Sequence, residues 1–281
     1  MSAPPPLGPL VRVWHPSPMR IIVCVKHVPD AQSERRFEDG RLVRGEDDVL
    51  NELDENAVEA AVSLVEEHGG EVVALTMGPE DAEDALMRAL QMGADRGVLV
   101  SDERLAGADA GLTALALAAA IEKIAEDGAI DLVVTGMASL DSMTSMLPAA
   151  LATRLRMPLL GLARAIEVDS DARRVRIERN ADGYDDVLAA PMPLVVSVTD
   201  QINEPRYPAF AAMKAARKKP MDSFDLDDLA GTAAGALIEG RARLIEVLEA
   251  SEVVRDGAGT IIPDSGDAGA RLAAYILEAV K

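Results

Sequence analysis

The sequence has 281 residues, of which 49% are hydrophobic, so it is long enough to bury the core of one large domain or two small ones. Aromatic residues make up only 2%, and an aliphatic core is more typical of helices over a buried parallel sheet than of a β-sandwich. The net charge of −20 argues against a nucleic-acid partner, because phosphates would be repelled. A basic partner protein or a small ligand remains compatible, as does an acidic surface that serves solubility alone.

The cysteine count and the apolar runs limit the cellular setting. Cys24 is the only cysteine, which excludes a disulfide framework or a Cys-rich zinc site and indicates a reducing, cytoplasmic compartment. The richest apolar run, 112–121, is shorter than the ~18 residues of a membrane span. Residues 1–18 are Pro-rich and lack the features of a signal peptide. Because Met19 directly precedes a strong strand, we expect residues 1–18 to be a disordered extension or a misassigned start.

Four apolar runs predict buried strands, and segments of helical spacing alternate with them. The strands are predicted at 20–26, 71–78, 96–102 and 130–136, and the helices at 51–70, 79–93, 109–127 and 143–155. A surface hairpin is predicted at 35–45, around the Asp39–Gly40 turn. This order predicts an α/β fold with a doubly wound, mostly parallel sheet and right-handed crossovers.

The pattern changes after Pro158. Longer strands are predicted at 158–169, 173–180 and 193–200, and we expect them to add antiparallel edges to the same sheet. Residues 203–230 are predicted as mixed loop and helix, and 231–235 as a linker. The α/β domain is therefore predicted over 19–230, and 231–281 as a C-terminal arm. Its last helix, 271–281, is amphipathic and is expected to pack on another subunit.

A ligand site is expected beyond the carboxyl ends of the parallel strands. These ends are predicted at 26–30, 76–81, 101–105 and 135–145, and two of them pass through glycine into the start of a helix. A helix start suits a phosphate, although ordinary strand-to-helix turns have the same pattern. Neither segment is a G-x-G-x-x-G or Walker loop.

Candidate catalytic residues are few. His15 lies in the N-terminal tail, and His68 lies at a helix end, where a capping role is expected. His27 could line the cleft or be structural, and Cys24 is expected to be a buried apolar side chain. A site with helix termini but no evident acid, base or nucleophile favours binding a nucleotide over transforming one, so a binding or carrier subunit without its own catalytic set is expected.

Four segments resemble the beta subunit of electron transfer flavoprotein, the FixA family. They are VKHVPD (25–30), NELDENAVEAA (51–61), ALQMGADRGVLV (89–100) and NEPRYPAF…MKAARKKP (203–220). The resemblance runs in order from Met19 to Ala230. It implies a Rossmann-like subunit related to adenine nucleotide hydrolases, paired with an alpha subunit on which the C-terminal arm packs. It also implies an FAD shared with alpha, a structural AMP, and electron transfer from flavin dehydrogenases, such as acyl-CoA dehydrogenases, to a membrane quinone oxidoreductase.

The resemblance assigns nucleotide-site residues by position. They are Cys24, Asn51, Glu52, Leu53, Asp54, Met77, Gly136, Met137, Ala138, Ser139, Leu140, Asp141, Ser142, Met143, Thr144, Ser145, Met146 and Leu147. Backbone amides of 142–145 are expected to bind phosphate, helped by the hydroxyls of Ser142, Thr144 and Ser145. Many family members have D-x-D-x-x-Q-x-G in this loop. Here only Asp141 remains, with Met143 and Met146 at polar positions, which makes a second flavin in place of AMP less expected.

The resemblance also assigns a partner-recognition loop at 203–220. Its residues are Asn203, Glu204, Pro205, Arg206, Tyr207, Phe210, Met213, Lys214, Arg217, Lys218 and Lys219. Phe210 stands where the family has a leucine that inserts into a dehydrogenase pocket. The cations are expected to steer acidic partner surfaces.

Two other functions compete with the carrier subunit. One is a stand-alone regulatory protein that binds adenine nucleotides in a similar fold, and the other is an enzyme that acts on them. The missing catalytic set weighs against the enzyme.

Overall fold

The computed structural model describes residues 18–38, 41–238, 245, 247–249, 251, 261 and 263–280. The extension predicted at 1–18 lies outside these residues apart from Pro18. The strands are β1 (Met19–Cys24), β2 (His27–Pro29), β3 (Phe37–Glu38), β4 (Arg41–Leu42), β5 (Asp48–Leu50), β6 (Gly70–Met77), β7 (Arg96–Val100), β8 (Leu132–Gly136), β9 (Leu159–Ala163), β10 (Ala165–Asp169), β11 (Arg174–Ala181), β12 (Tyr184–Pro191), β13 (Leu194–Val198) and β14 (Met221–Phe224). The helices are α1 (Glu52–His68), α2 (Glu83–Met92), α3 (Ala110–Ile124), α4 (Leu147–Leu155), α5 (Phe210–Ala216), α6 (Leu226–Leu229) and α7 (Ala268–Ala279).

Seven strands form one sheet in the order β14-β7-β6-β1-β8-β13-β9, and every neighbouring pair is parallel. Helices α1 and α2 pack in a core on one face, whereas α3 and α4 pack in a second core on the other. Strand β8 is buried along its whole length, because helices cover both faces of the sheet. The predicted doubly wound α/β fold is confirmed.

The strand order places a topological switch between β1 and β8. After β1 the chain adds β6 and β7 on one side, and it then returns to add β8 and β13 on the other. Open α/β sheets bind ligands at the carboxyl ends of the strands at such a switch. The fold therefore locates the candidate site at the ends of β1 and β8.

The antiparallel strands are present, but the expectation that they extend the main sheet is wrong. The segment predicted as one strand at 158–169 divides at Arg164, two residues after Leu162, which has a positive φ of 62°. Its first half, β9, pairs in parallel with β13 in the main sheet. Its second half, β10, pairs antiparallel with β11, which pairs in turn with β12 in a separate sheet. The alternating pattern of a strand does not identify the strand that it pairs with. The sequence pattern was therefore compatible with either sheet.

Of three further elements, one agrees with the prediction and two differ from it. The hairpin is confirmed by the pairing of β3 with β4, while its turn at 39–40 lies outside the described residues. Helix α4 begins at Leu147 rather than at 143, because Met143 and Ser145 adopt positive φ, which a helix cannot accommodate. Strand β14 was missed, because its two polar residues interrupt the apolar pattern of a strand at the sheet edge.

Residues 231–235 do not form the predicted linker. Thr232 and Ala234 are buried, and the amide of Ala234 donates to Glu122 of α3 at 2.9 Å. The packed structure thus continues past the predicted boundary at 230.

Helix α7 matches the predicted last helix, and its side chains from 271 to 279 are exposed. Among the described residues, no helix combines the length and the apolarity that crossing a membrane requires.

Candidate functional site

The predicted strand ends meet at the switch point. Cys24, the last residue of β1, pairs with Thr135 of β8 on one side and with Leu75 of β6 on the other. Met77 follows Leu75 by two residues, so it lies on the same face of the sheet. Met77 and Leu147 both pack against the core that contains Cys24. The sheet therefore brings Cys24, Met77 and the start of α4 to one edge, as predicted.

Asn51 fastens the loop after β8 to the start of α1. Its side chain is fully buried, and its Nδ2 donates to the carbonyl of Ala138 at 2.9 Å. Its Oδ1 accepts from the amide of Leu140 at 3.0 Å. Both groups of one amide side chain thus satisfy the backbone of a loop that follows a different strand. Because Asn51 is buried, water cannot replace these hydrogen bonds. Asn51 therefore fixes the first half of the loop.

Asp54 joins the ends of β1 and β8 from the same helix. Its Oδ2 accepts from the amide of Lys26 at 2.9 Å, and the Gly136 amide also donates to its carboxylate. A Cβ at Gly136 would lie 2.4 Å from Asp54 Oδ1 and 2.7 Å from the carbonyl oxygen of Leu53, so only glycine fits. Burial raises the pKa of Asp54 to about 7, against the opposing effect of its hydrogen bonds.

Cys24 behaves as the buried apolar side chain that the sequence predicted. Burial, helped by the charge of Asp54, raises the pKa of its thiol to about 12. The thiol therefore stays protonated at neutral pH and is a poor nucleophile. At the end of β1, Cys24 is therefore a packing side chain of this sheet edge rather than a reactive group.

The loop from Met137 to Met146 makes a turn of its own. The amides of Ser142 and Met143 donate to the carbonyl of Ser139 at 3.2 and 2.8 Å, and the hydroxyls of Ser139 and Ser142 lie 2.8 Å apart. Within the described part of the chain, the amides of Thr144 and Ser145 have no hydrogen-bond partner. Of the four amides expected to bind phosphate, two are thus engaged in the turn and two are available.

Several assigned residues are exposed at this loop. Met143 and Met146 are 55% and 52% exposed, and Thr144 and Ser145 lie between them on the surface. Glu52, at the start of α1, is also exposed, whereas Leu53 is half-buried. The structure therefore separates the assigned set into a buried group, led by Asn51 and Asp54, and an exposed rim.

Two cations that were not assigned to the site from the sequence bind Asp141. Lys26 Nζ lies 2.8 and 2.9 Å from its two carboxylate oxygens, and Arg44 donates to the same carboxylate. Although burial opposes the effect, these cations lower the pKa of Asp141 to about 2. Lys26 lies two residues after the end of β1 and is the last residue of the strand predicted at 20–26. This position at a strand end is the sequence signal that could have indicated it. Arg44 follows the hairpin and had no such signal.

Two buried hydroxyls at the strand ends lack partners. Thr135 Oγ1 in β8 and Thr76 Oγ1 in β6 have no hydrogen bond with any described residue. Buried hydroxyls are normally bonded, so each such group needs an explanation. Thr135 pairs directly with Cys24, at the switch point itself. Together with the two free amides, its hydroxyl gives this edge unused donors for a polar ligand.

The segment 203–220, which is predicted to recognise partners, is held on α1 and α2. Asn203 and Asn56 exchange hydrogen bonds of 3.0 and 3.1 Å, and Arg206 bonds to Glu59 and Glu66. The Tyr207 ring lies 5.6 Å from the guanidinium of Arg88. At the other end, Lys219 Nζ donates to the carbonyl of Leu90 at the end of α2, and burial lowers the pKa of Lys219.

The middle of the segment is exposed. Phe210 begins α5 and is 80% exposed, and Lys214, Arg217 and Lys218 are exposed without an ion pair to any described residue. Met213 and Pro205 are half-buried, and Glu204 is exposed. Of the five cations expected to steer partners, Arg206 and Lys219 are therefore engaged within the fold, and three remain free.

A family model described as "Electron transfer flavoprotein domain" matches residues 39–229. Protein FixA of Azorhizobium caulinodans is 40% identical over 71% of this chain and 73% of its own length. The electron transfer flavoprotein subunit beta of Mycobacterium leprae is 35% identical over 92% of this chain and 97% of its own length.

The chain belongs to the electron transfer flavoprotein beta subunit and FixA family. It is thus an electron transfer flavoprotein subunit, and the resemblance drawn from the four sequence segments is confirmed. The caffeyl-CoA reductase-Etf complex subunit CarD of Acetobacterium woodii is also similar, with 34% identity over 75% of this chain and 80% of its own length.

Proposed function

We propose that this electron transfer flavoprotein subunit is the beta half of a heterodimer and shares one FAD with an alpha subunit. The heterodimer takes electrons from flavin dehydrogenases, such as the acyl-CoA dehydrogenases of fatty acid beta-oxidation, and delivers them to a membrane quinone oxidoreductase. FAD supplies the redox chemistry by taking up and releasing electrons. This chain contributes binding surfaces and no catalytic set of its own.

The observation that carries this proposal is the exposure of Phe210. A phenylalanine that is 80% exposed, on a segment fixed to two helices, has an apolar surface that water does not favour. Aromatic side chains of this kind supply much of the binding energy of protein interfaces. The three free cations beside it suit a partner with an acidic surface.

The ends of β1 and β8 fit a nucleotide with a phosphate, and we propose AMP. The unpartnered hydroxyl of Thr135 and the free amides of Thr144 and Ser145 supply donors at this edge. The start of α4 adds the partial positive charge of a helix N-terminus. Asn51 and Asp54 hold the loop in place, and Met143 and Met146 form an apolar rim. An apolar rim suits AMP better than the additional polar groups of a second flavin.

Co-expression with the alpha subunit of the same organism tests the proposed function. We expect a yellow heterodimer with flavin absorbance, and a colourless protein when this chain is expressed alone. The purified heterodimer should be reduced by an acyl-CoA dehydrogenase of that organism in the presence of its acyl-CoA. A stable chain that does not associate with the alpha subunit would refute the proposal and favour a stand-alone nucleotide-binding protein.

Nucleotide content separates the possible occupants of this site. Denaturing the heterodimer and separating the released nucleotides should give one FAD and one AMP per heterodimer. Two FAD per heterodimer would identify a second flavin, and FAD without AMP would show that the site is empty. Either result would contradict the proposed AMP.

A further inference from the structure

Arg206 makes more bonds to the rest of the fold than any other side chain described above in the recognition segment. Its Nε and Nη2 donate to the two oxygens of Glu59 at 2.7 and 3.0 Å, and its backbone amide donates to Glu59 at 3.1 Å. Its Nη1 and Nη2 donate to the two oxygens of Glu66 at 2.7 and 3.0 Å. One guanidinium thus joins the segment to two carboxylates, two turns apart on α1.

All three nitrogens of the planar guanidinium donate in these hydrogen bonds. The Glu59 side chain that accepts some of them is only 12% exposed. Although partial burial raises the pKa of Glu59, the hydrogen bonds from Arg206 lower it more. The charge of Arg206 is therefore matched within the chain, unlike that of the exposed Lys214 four residues beyond Phe210. A lysine could pair with one carboxylate but could not form both bidentate contacts.

We propose that Arg206 is a positioning residue, which holds the recognition segment on α1 so that Phe210 is presented to the partner in a fixed place. This inference rests on the proposed function of the segment. Three residues lie between Arg206 and Phe210, and one of them, Pro208, is buried. A side chain that is fixed before binding loses less conformational entropy when the partner binds. Arg206 is therefore expected to raise the affinity for the partner indirectly, by fixing Phe210.

The first test measures flavin reduction in the assembled heterodimer. The electron donor is an acyl-CoA dehydrogenase of the same organism with its acyl-CoA. Arg206→Gln should raise the heterodimer concentration that gives half the maximal rate by about tenfold, and leave the maximal rate within about twofold. Arg206→Lys should lie between the wild type and Arg206→Gln. The matched control is Arg176→Gln, since Arg176 also bonds to two carboxylates, Glu167 and Glu178, but lies on β11.

A double-mutant cycle separates positioning from direct contact. In a Phe210→Ala background, Arg206→Gln should add less than about twofold, because the side chain that it positions is gone. The full tenfold effect in that background would show that Arg206 contacts the partner itself, and would overturn the proposal. So would a half-saturating concentration that Arg206→Gln leaves unchanged, or a loss confined to the maximal rate.

A second test does not depend on any dehydrogenase. Hydrogen exchange in the heterodimer should be about tenfold faster in Arg206→Gln for amides between 207 and 218, with β1 and β8 unchanged. Unchanged exchange in the segment, or an equal increase in the whole chain, would overturn the inference. If no dehydrogenase reduces the wild type, the proposed function fails, and the exchange result still decides whether Arg206 holds the segment.

Discussion

The proposed nucleotide edge, which comprises the ends of β1 and β8 with the loop after β8, and the predicted recognition segment, 203–220, are both attached to α1. The kinds of contact that attach them differ. At the N-terminus of α1, the buried Asn51 and Asp54 bond to the backbone of other strands and loops. Further along, Arg206, which is one-third exposed, bonds to Glu59 and to the exposed Glu66. Water replaces a lost bond at the surface but not in the interior. Changes at the nucleotide edge should therefore alter folding stability, and changes in the recognition segment should alter association.

The largest effect is expected from the charge of Asp54. An unfolded aspartate titrates near about 3.9, whereas burial raises the pKa of Asp54 to about 7. Between these values the folded chain holds a proton that the unfolded chain has lost, so its stability falls as the pH rises through this window. The loss should reach at most about 4 kcal/mol above pH 7.

This loss can be measured by urea unfolding of the wild type and of Asp54→Asn at several pH values between 4 and 8. As the pH rises, the free energy of unfolding of the wild type should fall relative to that of Asp54→Asn. The exposed Asp200 provides the control variant, Asp200→Asn, which should follow the wild type. Parallel curves for the wild type and Asp54→Asn would show that Asp54 is already ionised at low pH in the folded chain.

A methyl group at Gly136 should have the next largest effect. Its Cβ would lie 2.4 Å from Asp54 Oδ1, so Gly136→Ala should lower the free energy of unfolding by about 3 kcal/mol. Gly161 in β9 is the matched control, because its Cβ would meet Ser197 Oγ at an ordinary 3.7 Å. Gly161→Ala should change the unfolding free energy by less than about 1 kcal/mol. Equal costs in urea unfolding would mean that the contact with Asp54 is not what requires glycine at 136.

The sequence predicted which residues meet at the proposed nucleotide edge, because strand ends can be found from local patterns. Cys24, Met77 and the loop from Gly136 follow apolar runs, and the fold brings them together as expected. The bonds that fix the loop were not predictable in this way. Asn51 reaches a carbonyl 87 positions away, and Lys26 reaches Asp141 across 115 positions. Periodicity describes single elements and carries no information on such long-range pairs.

In the recognition segment, the sequence likewise does not show which cations are bonded within the fold and which are free. From composition, its five cations are equivalent, and the sequence predicted that all of them steer partners. In the structure Arg206 bonds to Glu59, 147 positions away, and Lys219 bonds to carbonyls at the end of α2. Whether a cation is free depends on which element lies beside it, and only the fold determines that.

Truncating Phe210 should weaken association without affecting the fold. Phe210→Ala should raise the half-saturating concentration for reduction by a dehydrogenase by about thirtyfold, or about 2 kcal/mol. FAD content and urea unfolding should match the wild type, because the side chain is 80% exposed. Tyr184 in β12 is 71% exposed and gives the matched control, Tyr184→Ala. Unchanged half-saturation in Phe210→Ala with every dehydrogenase tested would remove Phe210 from the interface.

The smallest effect is expected from the free cations, and it should depend on salt. Replacing Lys214 and Lys218 together by glutamine should slow association with a dehydrogenase about threefold at low ionic strength, because long-range attraction raises the association rate. At about 0.5 M salt the difference should vanish, since screening acts over a few ångströms there. The control is Lys123→Gln, as Lys123 lies on α3 and pairs with Glu126.

Stopped-flow measurements over a range of salt concentrations would test this effect and refine the contrast between the two regions. A salt dependence that is the same for the wild type and the Lys214 and Lys218 double variant would mean that the free cations do not steer. A double variant that also unfolds at lower urea would mean that these lysines support the fold, as Lys219 does. The contrast holds only if the double variant loses rate at low salt and keeps its stability, because the exposed part of the segment then serves association alone.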